Sequence, residues 1–141
     1  MNERKITLIR ESFALVLPAS TEVGLLFYRN LFALDPSLKP MFPEDLTHQS
    51  AKLMQMLGAA VNLLDKLDDL VPVVQQLAKR HLHYGVKQQH YAVVGEALIN
   101  TLVEGLGDAL SAEACLAWKE VYLLLSGAMI SAAYTEVALA E

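Results

Sequence analysis

The 141-residue sequence contains a single cysteine, Cys115, so the chain cannot form an internal disulfide. Cys115 lies in an apolar, helix-like stretch, and we interpret it as a small buried hydrophobic residue. Basic residues are also few, since 11 lysines and arginines stand against 16 aspartates and glutamates, giving a net charge of −5. A nucleic-acid-binding protein needs a basic stripe to meet the phosphates, and this charge balance therefore argues against nucleic acid as a partner.

The sequence also lacks a long apolar run. Its first twelve residues, MNERKITLIRES, show no continuous apolar run after the charged positions, unlike a secretory signal. The most apolar run, from Val121 to Tyr134, is too short to span a bilayer. We therefore expect a cytoplasmic protein without a membrane partner.

The sequence also lacks segments in which apolar and polar residues alternate between turn-forming residues, the pattern typical of β-strands. Almost every segment instead shows helical periodicity. Hydrophobic residues make up 54% of the chain, enough for a substantial core. We therefore predict one all-α domain over residues 1–141 with about seven helices. The predicted helices cover approximately residues 3–17, 22–34, 35–40, 46–64, 72–85, 87–106 and 112–138. The predicted caps and turn residues are Ser20 or Thr21, Asp35, Gly85, Gly107 and Ser111. The segment DKLDD, residues 65–69, is predicted to be a polar connection.

The stretch KRHLHYGV places two histidines, His81 and His83, near the end of a predicted helix. Residues two apart on a helix point about 200° away from each other, so the two histidines cannot share a face. His81 continues the apolar stripe of Val74 and Leu77 and is predicted to face inward. An inward histidine is more often a core residue bonded to the backbone than a metal ligand, and this motif alone does not exclude that simpler interpretation.

Other helices direct polar and aromatic groups toward their own apolar faces. Gln49 is the one polar member of an apolar stripe that includes Leu53. Tyr28 is predicted to lie on an inward face that also contains Leu25. Phe42 lies in the proline-flanked corner KPMFPE. Each residue also has a simpler interpretation. Gln49 could lie at the edge of the stripe and reach water, Tyr28 could be a core residue bonded to a carbonyl, and Phe42 could be an ordinary core phenylalanine.

This set of side chains does not match several common sites. A structural zinc site needs four protein ligands, and only one inward histidine is predicted. A Ser-His-Asp arrangement needs an acid that orients the histidine, and glycosidase chemistry needs a pair of carboxylates. One imidazole facing an apolar gap suits a cofactor that brings its own equatorial ligands, and haem is such a cofactor.

The motifs FYRNLFALDPSLKPMF, HQSAKLMQMLG, KRHLHYGV and QHYAVVGEAL together resemble the globin family over nearly the whole chain. The likeness is strongest to bacterial single-domain globins and to the haem domain of flavohaemoglobins. The resemblance implies a globin fold, a three-over-three helical sandwich around haem b.

The resemblance also implies a role for individual residues. His81 is similar to the proximal iron ligand, and Tyr28, Gln49 and Leu53 are similar to the distal, gas-facing residues. The implied haem contacts are Phe42, Leu77, Val86, Tyr91 and Val94. Lys52 and Arg80 are candidates to pair with the haem propionates, although solvated surface charges are the simpler interpretation.

The implied ligands are O₂, NO and CO, and the implied reaction is dioxygenation of nitric oxide to nitrate, with Tyr28 and Gln49 as its catalytic residues. Flavohaemoglobins carry a glutamate about fifteen residues after the tryptophan that matches Trp118, and Ala133 stands there in this sequence, with Glu136 one turn further on. The resemblance is to the haem domain and not to the reductase domain of flavohaemoglobins, so we expect turnover to need an external electron donor or reductase. The alternatives are an O₂-binding or O₂-sensing protein without turnover, and a haem-free interaction module.

Overall fold

The computed structural model describes the backbone of residues 2–83 and 90–140, and the side chains of residues 2–66, 68–76 and 90–129. The described residues form six α-helices and no strand, which confirms the all-α prediction. The helices are α1 (Glu3–Val16), α2 (Ser20–Leu34), α3 (Thr47–Asn62), α4 (Leu67–His83), α5 (His90–Leu106) and α6 (Ala112–Ala140). Short 3₁₀ segments cover Leu17–Ala19, Pro36–Met41 and Gly107–Ala109. The predicted third helix is therefore a 3₁₀ segment, one reason that six α-helices are seen instead of about seven.

Two of the predicted caps form. Asp35 Oδ1 accepts a hydrogen bond from the Ser37 N–H at 3.1 Å, and Ser111 Oγ accepts one from the Ala114 N–H at 3.0 Å. The predicted cap of α2 is wrong, because Ser20 already lies inside the helix and the residue before it is an alanine without a capping side chain. Gly107 has a φ of 53°, in the left-handed region where glycine is favoured, as expected for a turn residue. The predicted cap Gly85 lies outside the described residues.

Helix α4 begins earlier than predicted. It starts at Leu67, inside the segment that we predicted to be a polar connection, so Pro72 lies in the helix instead of at its start. Asp68 and Asp69 occupy its first turn, where carboxylates interact favourably with the exposed N–H groups and the helix dipole. Leu70 follows them and is buried, which anchors the new turn to the core.

A few helix pairs supply most of the packing among the described residues. Helix α2 contacts α3 and α5, α4 contacts α6, and α1 contacts both α3 and α6. At the crossing of α2 and α3, a Cβ added to Gly24 would lie only 2.6 Å from the Ser50 Cβ. Glycine at this position therefore lets the two helix backbones approach closely. The close approach brings the middle of α2, with Tyr28, next to the start of α3, with Gln49.

Side chains of α1 form hydrogen bonds with α6 and with the end of α3. The Trp118 Nε1–H on α6 donates to Ser12 Oγ at 2.8 Å, and both residues are buried. Arg10 donates to the carbonyl oxygens of Val61 at 3.3 Å and Asn62 at 3.1 Å, at the last turn of α3. The guanidinium thus adds hydrogen bonds to the last carbonyls of α3 and caps the helix at its carboxyl end.

Two exposure predictions are wrong. Leu25 was expected on the inward face of α2, but it is 39% exposed, and α2 instead buries Gly24, Phe27, Tyr28 and Leu31. Cys115 was expected to be buried and is only partly buried. No helix of the described chain is long and apolar enough to cross a membrane.

Candidate functional site

Tyr28 lies in the interior, with 4% of its surface exposed. Burial raises the pKa of Tyr28, and a hydrogen bond between its side chain and that of Gln49 lowers it in part. The phenol therefore remains protonated at neutral pH. The two predicted distal polar residues are thus brought together in the structure, although they lie on different helices.

Phenylalanine rings surround the Tyr28 phenol. The ring centroids of Tyr28 and Phe42 are 5.4 Å apart, those of Tyr28 and Phe32 are 6.1 Å apart, and those of Phe32 and Phe42 are 5.6 Å apart. Phe27 meets Tyr28 edge-on, with its centroid at 5.1 Å. These distances are typical of favourable tilted and edge-to-face aromatic pairs. The proline-bounded corner therefore places Phe42 against the inner face of α2.

Helix α3 lies beside this aromatic cluster, but its most buried residues differ from the predicted stripe. Ser50 and Met54 are buried, whereas Gln49 and Leu53 are only partly buried. The apolar residues of the predicted stripe still pack against the core, so the packed face of α3 is wider than predicted and extends one residue, or about 100°, past that stripe. Gln49 and Leu53 consequently lie at the edge of the packed face, beside Tyr28. Lys52 is exposed.

The predicted iron ligand, His81, belongs to α4, which packs against α6. The side chains of His81, Leu77 and Arg80 lie outside the described residues, as does Val86 entirely. The same holds for the side chains of Ala133 and Glu136 on α6.

On α5, Tyr91 is buried and Val94 is partly buried.

Tyr122, on α6, contacts α5 but was not among the residues predicted from the motifs. Its hydroxyl donates a hydrogen bond to the Tyr91 carbonyl oxygen, and its ring lies against Gly95. Burial raises the pKa of Tyr122, and the nearby Tyr91 phenol raises it further. Tyr122 could have been found from its position four residues after Trp118, because this spacing places both aromatic residues on one side of α6.

The Globin family model matches residues 25–129 of this chain. The chain belongs to the globin family.

Sequence relatives of this globin include flavohemoproteins. The flavohemoprotein of Chromobacterium violaceum is 27% identical over 133 residues, which cover 92% of this chain and 33% of the relative. The flavohemoprotein of Halalkalibacterium halodurans is 34% identical over 109 residues, which cover 74% of this chain and 26% of the relative. The globin thus spans about a third or less of the length of these relatives.

A solved structure of a bacterial globin from Campylobacter jejuni has the same fold. It superposes with a TM-score of 0.85 at 21% identity, and the match covers 97% of this globin and 99% of that chain. The predicted globin fold is therefore confirmed.

Proposed function

We propose that residues 1–141 form a single globin domain that binds haem b. His81 is the proposed proximal iron ligand. Haem supplies an iron atom that reversibly binds diatomic gases. The observation that carries the proposal is the buried Tyr28 phenol, paired with Gln49 and set among phenylalanine rings. Aromatic and aliphatic side chains can pack against the flat face of a porphyrin. The two polar groups, the Tyr28 phenol and the Gln49 amide, can bind a small polar ligand.

Each predicted residue then has a defined task. His81 holds the iron through one ring nitrogen, while the other donates a hydrogen bond, as metal-bound histidines ordinarily do. The flanks of the porphyrin are assigned to Phe42, Leu77, Val86, Tyr91 and Val94, and Leu53 forms the apolar wall beside the gas.

Tyr28 and Gln49 control how long a gas stays bound. A phenol O–H and an amide N–H can each donate to a partly negative ligand, and a charge-assisted hydrogen bond in a dry pocket contributes about 1–3 kcal/mol. This range corresponds to about five- to hundredfold in affinity. Because Tyr28 is the more deeply buried donor, we expect Tyr28→Phe to speed O₂ release more than Gln49→Ala does. Stopped-flow measurement of O₂ release checks this order, and unchanged rates in both variants would remove Tyr28 and Gln49 from the proposed pocket.

For the reaction, we propose dioxygenation of nitric oxide to nitrate, in which NO and O₂ combine with one electron from an external donor. The similarity to flavohemoproteins supports this choice. In it, Tyr28 and Gln49 orient and polarise the O₂ beside them, and the aromatic cluster keeps water away. CO is expected to compete for the same site.

The haem proposal is tested first by an absorption spectrum of the purified protein in ferric, ferrous and oxygenated forms. We expect a strong Soret band that is lost in His81→Gly and returns when free imidazole is added. His83→Gly is the matched control, because it removes a histidine two residues away that helical periodicity predicts to face another side of the helix. Wild-type protein that takes up no haem after supplementation would instead favour a haem-free interaction module.

A second candidate, O₂ binding or sensing without turnover, is favoured by Ala133, which stands where flavohaemoglobins have a glutamate. The two candidates differ when the oxygenated protein is mixed with excess NO and a reductant. Many nitrate ions per haem indicate dioxygenase turnover, whereas one nitrate per haem indicates binding without recycling.

A further inference from the structure

The ring of Tyr122, on α6, lies directly on the backbone of α5 at Gly95. A Cβ at position 95 would lie 2.6 Å from Tyr122 Cδ1 and closer still to Cε1, both far inside van der Waals contact. Only a glycine in this turn of α5 leaves room for the ring. The α5–α6 crossing is therefore shaped around the Tyr122 side chain.

The hydroxyl at the end of this ring reaches the first turn of α5. It donates to the carbonyl oxygen of Tyr91, the second residue of the helix. Burial and the neighbouring Tyr91 phenol both raise the pKa of Tyr122, so its hydroxyl keeps its proton and remains a donor at neutral pH. The Tyr122 hydroxyl therefore ties α6 to the Tyr91 backbone.

A hydrogen bond at this place has a particular effect on α5. The first turn of a helix lacks part of the internal hydrogen bonding of later turns and frays more easily. An added bond from a neighbouring helix fixes the rotation and axial position of that turn. Tyr91 and Val94 lie three residues apart on α5, so their side chains move together with the turn.

We propose that Tyr122 is a positioning residue, which holds Tyr91 and Val94 in place against the haem by its hydrogen bond and by its ring on Gly95. This inference rests on the proposed haem-binding function. Tyr122 does not contact the gas, and its effect passes through α5 to the side of the haem that His81 faces.

The test compares Tyr122→Phe with Ser12→Ala in haem-loaded protein. Tyr122→Phe keeps the ring and removes only the hydroxyl. Ser12→Ala also removes a buried side-chain hydrogen bond to α6, the 2.8 Å bond from Trp118, but on the α1 side of that helix. Haem transfer to an excess of an acceptor apoprotein gives the rate of haem loss. Resonance Raman spectroscopy of the ferrous protein gives the iron–histidine stretching frequency, which a loss of global stability alone does not move.

We expect Tyr122→Phe to lose haem about five- to tenfold faster, the ratio that corresponds to one lost buried hydrogen bond, and to shift the iron–histidine band. Ser12→Ala should leave the band unchanged and the haem-loss rate within about twofold, even though the protein unfolds at lower urea concentration. Gly95→Ala displaces the same ring and should resemble Tyr122→Phe, so the proposal stays testable if either variant folds poorly.

Unchanged haem loss and an unchanged band in Tyr122→Phe would overturn the proposal. Equal acceleration in Tyr122→Phe and Ser12→Ala without a band shift would also overturn it, because Tyr122 would then contribute only general stability. A wild-type protein that binds no haem would show a different failure, that of the proposed function, and the role of Tyr122 would fall with it.

Discussion

The α2–α3 and α5–α6 crossings each contain a glycine, but the side chain opposite the glycine differs greatly in size. Gly24 faces the Cβ and backbone of Ser50, so two helix backbones meet directly. Gly95 faces the aromatic ring of Tyr122. The first glycine brings together two helices whose side chains then interact nearby, Tyr28 with Gln49. The second admits one large side chain, whose hydroxyl reaches the opposite helix.

The difference determines how each crossing tolerates added volume. Glycine inside a helix is unfavourable by about 1 kcal/mol relative to alanine, so each glycine must be offset by the packing that it permits. Atoms close to a backbone, such as those of Ser50, can move only with their helix. A tyrosine ring can rotate about its own side-chain bonds. The same alanine substitution should therefore cost more at the α2–α3 crossing than at the α5–α6 crossing.

Gly24→Ala should have the largest effect. The new methyl would lie 2.6 Å from Ser50 Cβ and 3.1 Å from Ser50 Cα, and we expect a loss of about 2–3 kcal/mol in the free energy of unfolding. Urea denaturation measures this loss. The double variant Gly24→Ala/Ser50→Gly should recover much of it, because Ser50→Gly removes the opposing Cβ. No recovery in the double variant would show that the two residues do not limit the approach of the helices.

Gly95→Ala should lower the free energy of unfolding less, by about 1–2 kcal/mol, because the Tyr122 ring can swing aside at the cost of its bond to the Tyr91 carbonyl. The variant should therefore add little to the loss already caused by Tyr122→Phe. Fully additive losses in the double variant, measured by the same denaturation, would contradict this coupling.

Ser50→Ala should be stabilising. Ser50 is fully buried, and its hydroxyl has no hydrogen-bond partner among the described residues. Removing an unsatisfied hydroxyl and adding a better helix former should raise the free energy of unfolding by about 0.5–1 kcal/mol. A loss of stability instead would mean that the Ser50 hydroxyl has a partner in solution.

A buried tyrosine lies near each crossing, Tyr28 at one and Tyr122 at the other. We therefore expect a small loss in the free energy of unfolding at alkaline pH. The pKa values of Tyr28 and Tyr122 are raised in the folded protein, so each contributes stability that is present below the unfolded tyrosine pKa of 10.0 and lost as the pH rises above it. Tyr122→Phe and Tyr28→Phe should each flatten the decline in stability above pH 10. Urea denaturation at a series of pH values checks this, and an unchanged decline in both variants would contradict the raised pKa values.

Local sequence features were sufficient for the all-α class and for the capping residues Asp35 and Ser111. Helical periodicity and capping depend on residues three or four positions apart, so a single sequence shows them directly. The resemblance to globins then supplied the order of the helices and the expected cofactor.

Only the tertiary structure decided the rest, because long-range contacts compete with local patterns and can outweigh them. The close approach of α2 at Gly24 buries Ser50, a residue of α3 that lies beside the predicted stripe. Tyr122 reaches a carbonyl 31 positions earlier in the chain, and no local pattern indicates that contact. The sequence by itself thus determined which helices form and which residues they carry, whereas packing determined which of those residues meet.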